Sequence, residues 1–252
     1  MVAAKGRAVK SSKRRVAVSA GIADAPARVR GLGAQRIYHE LRQSILDLTL
    51  EPGSPLDEVG LSEQFGMSRS PIREALVRLS AEGLVTTLPN RNTIVSAIDF
   101  VHLPVYFEAL TLMYRVTTRS AAVHRRAGDL ATIRKLQSAY AEAVENRDAL
   151  AMIQSNRDFH VAIAVAAGNS YFTNLFSRLL DEGRRILRLY YQSFDDVLPR
   201  QYVDEHEAMV AAIEAGDAEL ADRLSAEHAA QIVRQIQSYI VRNSASPIRL
   251  SE

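Results

Sequence analysis

The fold of this chain is decided by residues 61–79, which read Leu61-Ser-Glu-Gln-Phe-Gly-Met-Ser-Arg-Ser-Pro-Ile-Arg-Glu-Ala-Leu-Val-Arg-Leu79. Gly66 stands where a sharp turn needs a residue that accepts a positive φ angle. Ser68 or Ser70 can cap the helix that follows, and Pro71 is tolerated in its first turn because an N–H there has no partner in any case. The stretch therefore predicts two short helices joined by a tight turn, which is a helix-turn-helix.

The flanking sequence extends this motif on both sides. Upstream, one face of a predicted helix carries apolar residues at steps of four, four and three: Ile37, Leu41, Ile45 and Leu48. Glu51-Pro52-Gly53 ends that helix. Downstream, residues 84–88 and 93–95 are β-prone runs around the turn-forming Pro89-Asn90-Arg91-Asn92, which predicts a hairpin, or wing. Residues 34–98 are thus predicted to form a winged helix-turn-helix domain.

The remainder, residues 99–245, has a helical pattern throughout. Turn-forming residues divide it into six predicted helices, with breaks near Gly128, Arg147, Gly168-Asn169, Asp195 and Gly216-Asp217. The short connection at residues 96–99 is the predicted domain boundary. The expected fold class is mainly α, with a winged helix-turn-helix followed by an all-α six-helix bundle.

Composition restricts the setting in which this chain works. It has no cysteine, which excludes disulfides and thiolate metal ligands, and no apolar run near the ~20 residues of a membrane-spanning helix. We expect a cytoplasmic protein with no membrane contact. Residues 1–33 carry eight Lys/Arg against the single acid Asp24 and are expected to form a disordered basic arm, which either stays solvated or contacts phosphates non-specifically. Residues 246–252 are expected to form a tail.

Two arginines near the start of the predicted third helix are candidate DNA contacts. Arg69 and Arg73 are four residues apart and share one helix face, at the end of a recognition helix that enters the major groove. The planar fork of arginine can donate two hydrogen bonds to guanine or to a phosphate. Spacing alone leaves open the alternative that both are surface residues, with Arg73 paired locally to an acid.

The surrounding sequence resembles the winged helix-turn-helix of the GntR family of bacterial regulators. The matching residues occur in the family's order: Pro52-Gly53, Leu56, Glu58, Leu61, Gly66-Met67-Ser68-Arg69, Pro71-Ile72-Arg73-Glu74-Ala75-Leu76 and Gly83-Leu84-Val85. The resemblance implies operator DNA contacts by Arg69 and Arg73, phosphate contacts near Ser68 and Ser70, and a wing carrying Arg91 in the minor groove. Family members usually have Arg-Gly at the wing tip where this chain has Arg91-Asn92, so Asn92 is expected to take the left-handed conformation.

Three histidines in separate predicted helices are candidate metal ligands. They are His160, His206 and His228, and Asn156 lies one helical turn before His160. Neutral imidazoles with one oxygen ligand suit zinc, nickel or manganese. Their spacing alone also fits ordinary core or surface histidines, which is how we interpret the other three, at positions 39, 102 and 124.

This half of the chain resembles the helical FCD sensor domain of the FadR-like subfamily. The residues that carry the likeness are Asn156-Arg-Asp-Phe-His160, Gly168-Asn169, His206, Ala212-Ile213-Glu-Ala-Gly216-Asp217 and His228. The resemblance implies a divalent metal, zinc first and nickel or manganese as alternatives, held by the three histidines and by Asn156 in the place of an aspartate. It also implies a homodimer, and six helices resemble the VanR-type branch. The effector is expected to be a small carboxylate for a chemical reason, because neutral imidazoles and a neutral amide would leave the charge of the ion uncompensated.

Four side chains of the fourth predicted helix of this half are candidates to orient that effector: Arg184, Arg188, Tyr190 and Tyr191. The alternative is a solvated charged face with two packing aromatic rings. An enzyme is not expected, although three histidines could also serve a metal-dependent hydrolase. A helix directs the side chains of sequence neighbours about 100° apart, so Glu205 and Glu227 cannot readily face the same ion as the histidines that follow them. A purely structural metal is the other alternative.

Overall fold

The structure, a computed structural model, describes residues 32–244 apart from residues 90, 194, 196 and 198, with the side chains of residues 242–244 also left aside. Nine α-helices and one two-stranded sheet occupy the described part of the chain. The expected tail lies outside these residues, and so does the expected basic arm except for Leu32 and Gly33. Those two residues belong to the first helix, which therefore begins before the predicted boundary at residue 34.

The N-terminal unit is a winged helix-turn-helix, as the sequence predicts. Its core is formed by the apolar face of the first helix packed against the helix-turn-helix and the sheet, and Ile37, Leu41 and Ile45 are buried there. Leu48 lies beyond the end of the helix with a φ of 58°, so the last of the four residues predicted for the apolar face is wrong. The elements are α1 (Leu32–Leu46), α2 (Glu58–Phe65), α3 (Arg69–Ala81), β1 (Val85–Thr87) and β2 (Thr93–Val95).

Two local features set the angle between α2 and α3. The Asp57 side chain caps α2 by accepting from the Gly60 N–H at 2.8 Å, and Gly66 ends the helix with a φ of 61°. A side chain at this left-handed position would be strained, which is why glycine is favoured there. Ser68 is the cap residue of α3 by backbone position, without a side-chain hydrogen bond to the helix.

The wing is an antiparallel hairpin with Val85 opposite Val95 and Thr87 opposite Thr93. The chain before α2 adds to its edge, because Leu56 N–H donates to Thr93 O at 2.8 Å. At the wing tip the residue with positive φ is Arg91, at 65°, and not Asn92 as expected. The Arg91 N–H closes the turn onto Leu88 O, which fixes the left-handed position one residue earlier.

The C-terminal unit contains six helices, as predicted: α4 (Leu103–His124), α5 (Ala127–Glu145), α6 (Ala149–Ala166), α7 (Ser170–Gln192), α8 (Gln201–Ala215) and α9 (Ala218–Ser244). The predicted break at Gly128 is displaced, because α4 ends at His124 and Gly128 lies in the first turn of α5. The breaks at Arg147 and Gly216 are confirmed, and both residues have positive φ.

The helices of this unit pack α4 along α9 and α6 between α5 and α7, with α8 against α5 and α9. Three large apolar clusters fill the spaces between them. α6, α8 and α9 each bring one fully buried histidine to the middle of the bundle. In the part of the chain that the structure describes, no helix combines the length and the apolar character needed to cross a membrane.

The two units contact each other through α1 and α7. Arg42 of α1 donates to Asp181 of α7 at 2.8 Å, and Arg184 of α7 donates to Asp47, just after α1, at 3.1 Å. The contact between the units is therefore built on ion pairs rather than on an extension of either apolar core.

Candidate metal centre and nucleic-acid interface

His160 of α6, His206 of α8 and His228 of α9 converge on one point in the bundle. One ring nitrogen from each lies within 4.8 Å of the others, and the three residues are 0 to 1 % exposed. Helices far apart in sequence supply the three rings, so only the packed bundle brings them together. This is the trio that the sequence analysis selected.

Two of the three rings are held by hydrogen bonds at Nδ1. Gln137 Oε1 lies 3.0 Å from His206 Nδ1, and Glu205 Oε2 lies 2.7 Å from His228 Nδ1. An acceptor at Nδ1 fixes the proton on that nitrogen and leaves a lone pair on Nε2. Both Nε2 atoms, and both ring nitrogens of His160, are buried without a protein partner in the described part of the chain.

Burial also sets the charge of these rings. It lowers the pKa of His160 well below the usual value for histidine, and the nearby His228 lowers it further. The pKa of His206 is lowered in the same way, first by burial and then by His160 and His228. Two of the rings therefore stay neutral at pH 7, and neutral imidazole is the form that binds a metal.

Aromatic rings enclose the cluster. The Tyr114 ring makes edge contacts with His160 and His228, at centroid distances of 4.7 and 5.5 Å, and Phe159 stacks on His206 at 4.4 Å. Asn156 is buried near the Tyr114 hydroxyl. Burial raises the pKa of Tyr114 and outweighs the lowering by the Asn156 side chain, so Tyr114 keeps its proton.

The predicted effector-orienting residues fall in two places. Tyr190 and Tyr191 are buried, and Tyr191 lies near Tyr140, whose ring centroid is 4.7 Å from that of His206. Arg184 is 3 % exposed, so it is not part of a solvated face, and it donates to Gln154 Oε1 at 2.8 Å as well as to Asp47. Arg188 is half-buried. Tyr191 is therefore one side chain away from the histidine cluster, whereas Arg184 is held by Gln154 and Asp47.

At the other end of the molecule, the predicted DNA-contacting residues form an exposed group. Ser68, Arg69, Ser70 and Arg73 lie at the N-terminal end of α3, and Arg91 is exposed on the wing. Arg73 Nε donates to Glu58 Oε2 of α2 at 2.8 Å, which is the local acid pairing left open by the sequence. Such an exposed pair is worth only about 0.2–1 kcal/mol, so it does not prevent Arg73 from reaching DNA.

Two residues that support the cluster were missed by sequence reasoning. Gln137 lies on α5, and nothing in its local sequence distinguishes it from other glutamines. Glu205 adjoins His206 and was set aside because it cannot face the same point, yet it reaches across to His228 on α9. Its position opposite a histidine 23 residues away is a property of the packed helices.

Comparison with known proteins gives a family match for each unit. The model "Bacterial regulatory proteins, gntR family" matches residues 33–95, and "FCD domain" matches residues 106–231, which is half of the 252 residues. The HTH-type transcriptional repressor RspR of Escherichia coli (strain K12) is 24% identical over 226 residues, covering 83% of this chain and 91% of that protein. The probable D-xylose utilization operon transcriptional repressor of Paenarthrobacter nicotinovorans is 26% identical over 196 residues, covering 77% and 82%.

The fold is also similar to a solved structure. E. coli McbR/YncC matches with a TM-score of 0.72 and 24% identity, covering 82% of this chain and 98% of that one. This likeness spans both the winged unit and the helical unit.

Replacing His160 tests whether the unpaired ring nitrogens destabilise the metal-free protein. Leucine has a similar volume and no polar atoms, so His160→Leu removes two buried nitrogens that lack a protein partner. In the presence of a chelator it should raise the free energy of unfolding, by up to about 1–3 kcal/mol, because an unpaired buried polar atom is costly. Thermal unfolding followed by circular dichroism measures this. His124→Leu, at an exposed position on α4, is the control, and a strong loss of stability in His160→Leu under chelation would contradict the interpretation.

Proposed function

Because this chain belongs to the GntR family of bacterial regulatory proteins and carries an FCD domain, we propose that it is a ligand-responsive repressor whose helical unit binds a divalent metal ion and a small organic-acid effector. It is a transcriptional regulator and not an enzyme. The metal proposal rests on one observation: unpaired ring nitrogens of three buried histidines converge on one point. Two similar regulators are named repressors, which supports the same sign of regulation here.

The donor set fits a divalent metal ion. Three imidazole nitrogens suit zinc, with nickel or manganese as alternatives, and the carbonyl oxygen of Asn156 is proposed as the fourth ligand. Gln137 and Glu205 orient two of the rings through Nδ1, the supporting arrangement usual for metal-bound histidines. When bound, the metal would supply a positive charge in a buried site and so attract an anion.

The effector is proposed to be a small carboxylate. Three neutral imidazoles and a neutral amide leave the charge of the ion uncompensated, so an anionic ligand is its natural partner. Tyr191, Tyr190, Arg184 and Arg188 are the side chains proposed to orient it, and Tyr191 is connected to the cluster through Tyr140. Arg184 would have to exchange Asp47 for the ligand, which would alter the contact between the two units.

A chain of contacts connects the proposed metal site to the DNA-binding unit. Arg157 follows Asn156 on α6 and donates to Asp181 of α7 at 2.7 Å. Asp181 also accepts from Arg42 of α1 at 2.8 Å. A shift of α6 on effector binding would therefore move the Asp181 carboxylate, which also holds Arg42 of α1. Regulation further requires that the effector bind the two arrangements of the units unequally.

We also propose that the protein is a cytoplasmic homodimer of the VanR-type branch. Six helices in the described FCD unit support the branch. Val105, Leu112 and Val123 form an exposed apolar row on the face of α4 turned away from the bundle, which supports pairing with a second copy. A two-fold dimer would bind a short pseudo-palindromic operator.

A charged residue in the exposed apolar row of α4 tests the proposed dimer. Leu112→Glu should convert the dimer to monomer, because an unpaired carboxylate is costly in an apolar interface. Sedimentation velocity measures the mass. Leu150→Glu, at an exposed leucine of α6, should leave it unchanged. A wild type of monomeric mass would rule out the dimer, and a dimeric Leu112→Glu would rule out this surface.

The DNA interface is tested by single alanine substitutions. Arg69→Ala or Arg73→Ala should each lose about 1–3 kcal/mol of operator binding if a bidentate base contact is removed. This exceeds the ion pair that Arg73 would give up with Glu58. Fluorescence anisotropy with the promoter DNA at fixed salt is the measurement, with Arg223→Ala, exposed on α9, as control. Unchanged affinity in both recognition-helix variants would contradict the assignment.

The metal and effector are tested together. Elemental analysis should find about one equivalent of metal in the tag-free wild type and none in a His160→Ala, His206→Ala, His228→Ala variant. Metal at about 100 times its dissociation constant should stabilise the wild type by about 2.7 kcal/mol. Glu205→Gln should weaken metal binding by about 10–100-fold, since it loses the charged acceptor at His228.

A carboxylate found by thermal shift should then weaken operator binding by the wild type and not by the triple variant. Equal metal content in the wild type and the triple variant would contradict the proposed metal site. A carboxylate that binds the wild type without changing operator affinity would leave the metal with a structural role only.

A further inference from the structure

The two units enclose a cleft of about 770 Å³ that lies apart from the histidine cluster. One wall is formed by α1 with the end of α3 and the turn after it, at residues 80–84. The other wall is α7, and residues 97–103 form the connection between the units along the cleft. None of the three clustered histidines lines it, and neither does Arg69 or Arg73. The volume is within the range of small-molecule sites.

Arg185 is the buried charged group of this cleft. It is 6 % exposed, and its Nη2 donates to the backbone oxygen of Ser96 at 2.5 Å. Its Nε is buried and has no protein acceptor among the residues described. Burial lowers the pKa of Arg185, and no neighbouring carboxylate in the described chain opposes that effect. The guanidinium thus lacks a counter-charge.

Three other arginines near the contact between the units have carboxylate partners. Arg42 has Glu82 and Asp181, Arg184 has Asp47, and Arg157 has Asp181 and Asp158. The two acids that precede Arg185 on α7 do not serve it. Asp181 accepts from two arginines, and Glu182 is exposed and makes no ion pair with Arg185.

The wall around Arg185 is held in place by a close contact between α4 and α7. Tyr106 donates to Leu179 O at 2.8 Å, and its hydroxyl lies so near Gly183 that a Cβ there would overlap it. Tyr106, which lines the cleft, is therefore kept against α7 at Gly183, which is two residues before Arg185. A buried, unpaired cation at a fixed place in an open cleft is costly unless a ligand supplies the negative charge.

We propose that the cleft between the two units is a second ligand site, which binds a small anion through the guanidinium of Arg185. A carboxylate or a phosphate group fits this site, because both accept charge-assisted hydrogen bonds from a planar guanidinium. The ligand would touch α7 on one side and the DNA-binding unit on the other. Its binding would therefore stabilise this arrangement of the units independently of the histidine cluster.

The experiment uses the full chain with inorganic phosphate and succinate as probes, each compared with sodium chloride at equal ionic strength. Isothermal titration calorimetry gives the affinity for wild type, Arg185→Gln, Arg185→Lys and the control Arg223→Gln. Arg185→Gln should weaken binding of the preferred probe about tenfold or more, because a charge-assisted hydrogen bond is lost. Arg185→Lys should be intermediate, and Arg223→Gln should equal the wild type. The preferred probe identifies a phosphate or a carboxylate ligand.

Binding at the cleft should persist in chelator-treated protein, which distinguishes it from an anion held at the metal. The proposal is overturned if neither probe binds the wild type beyond chloride, if Arg185→Gln binds as well as wild type, or if the chelator abolishes binding. Circular dichroism checks that each variant is folded. If Arg185→Gln does not fold, Arg185→Lys is the deciding variant. If Arg185→Lys then binds the probe as tightly as the wild type does, contact through the planar guanidinium is contradicted.

Discussion

Three imidazole rings meet inside the helical unit with unpaired Nε2 atoms, and burying polar atoms in this way is unfavourable unless something binds them. The rest of the unit is arranged around that constraint. α6, α8 and α9 must approach closely enough to bring the rings within 4.8 Å, and α4 and α5 contribute Tyr114 and Gln137 to their surroundings. Apolar clusters fill the space between these helices, so the bundle is both a packed core and the frame of a polar centre.

The contact between the units differs from either core. It consists largely of arginines and carboxylates, and Asp181 joins α6, α7 and α1 because it accepts from both Arg157 and Arg42. An arginine in such a pair can exchange one anionic acceptor for another, whereas a packed apolar core cannot rearrange without losing contacts. Two rigid units joined by a contact that can rearrange suit a regulator, and this distribution of residues provides such a contact.

Within the N-terminal unit, a helix cap, a glycine turn and the apolar face of one helix account for most of the geometry. Gly66 and the Asp57 cap fix α2, and the apolar face of α1 fixes α3 and the wing. The residues proposed to contact DNA are exposed and lie outside that core, so substituting them should leave the fold unchanged. Arg73 differs from the others in one respect, because its pairing with Glu58 connects α3 to the helix before the turn.

The sequence by itself determined the order of the elements, the winged helix-turn-helix, the six following helices and the three histidines. Periodicity, capping residues and turn formers act over one or two turns, so they can be read locally. The tertiary structure alone decided which histidine nitrogens are held by Gln137 and Glu205, that Arg184 meets Asp47, and that Arg185 is buried without a carboxylate. It also placed the left-handed residue of the wing at Arg91. These features depend on contacts between residues far apart in the chain or on the closure of a particular turn, and no local pattern encodes them.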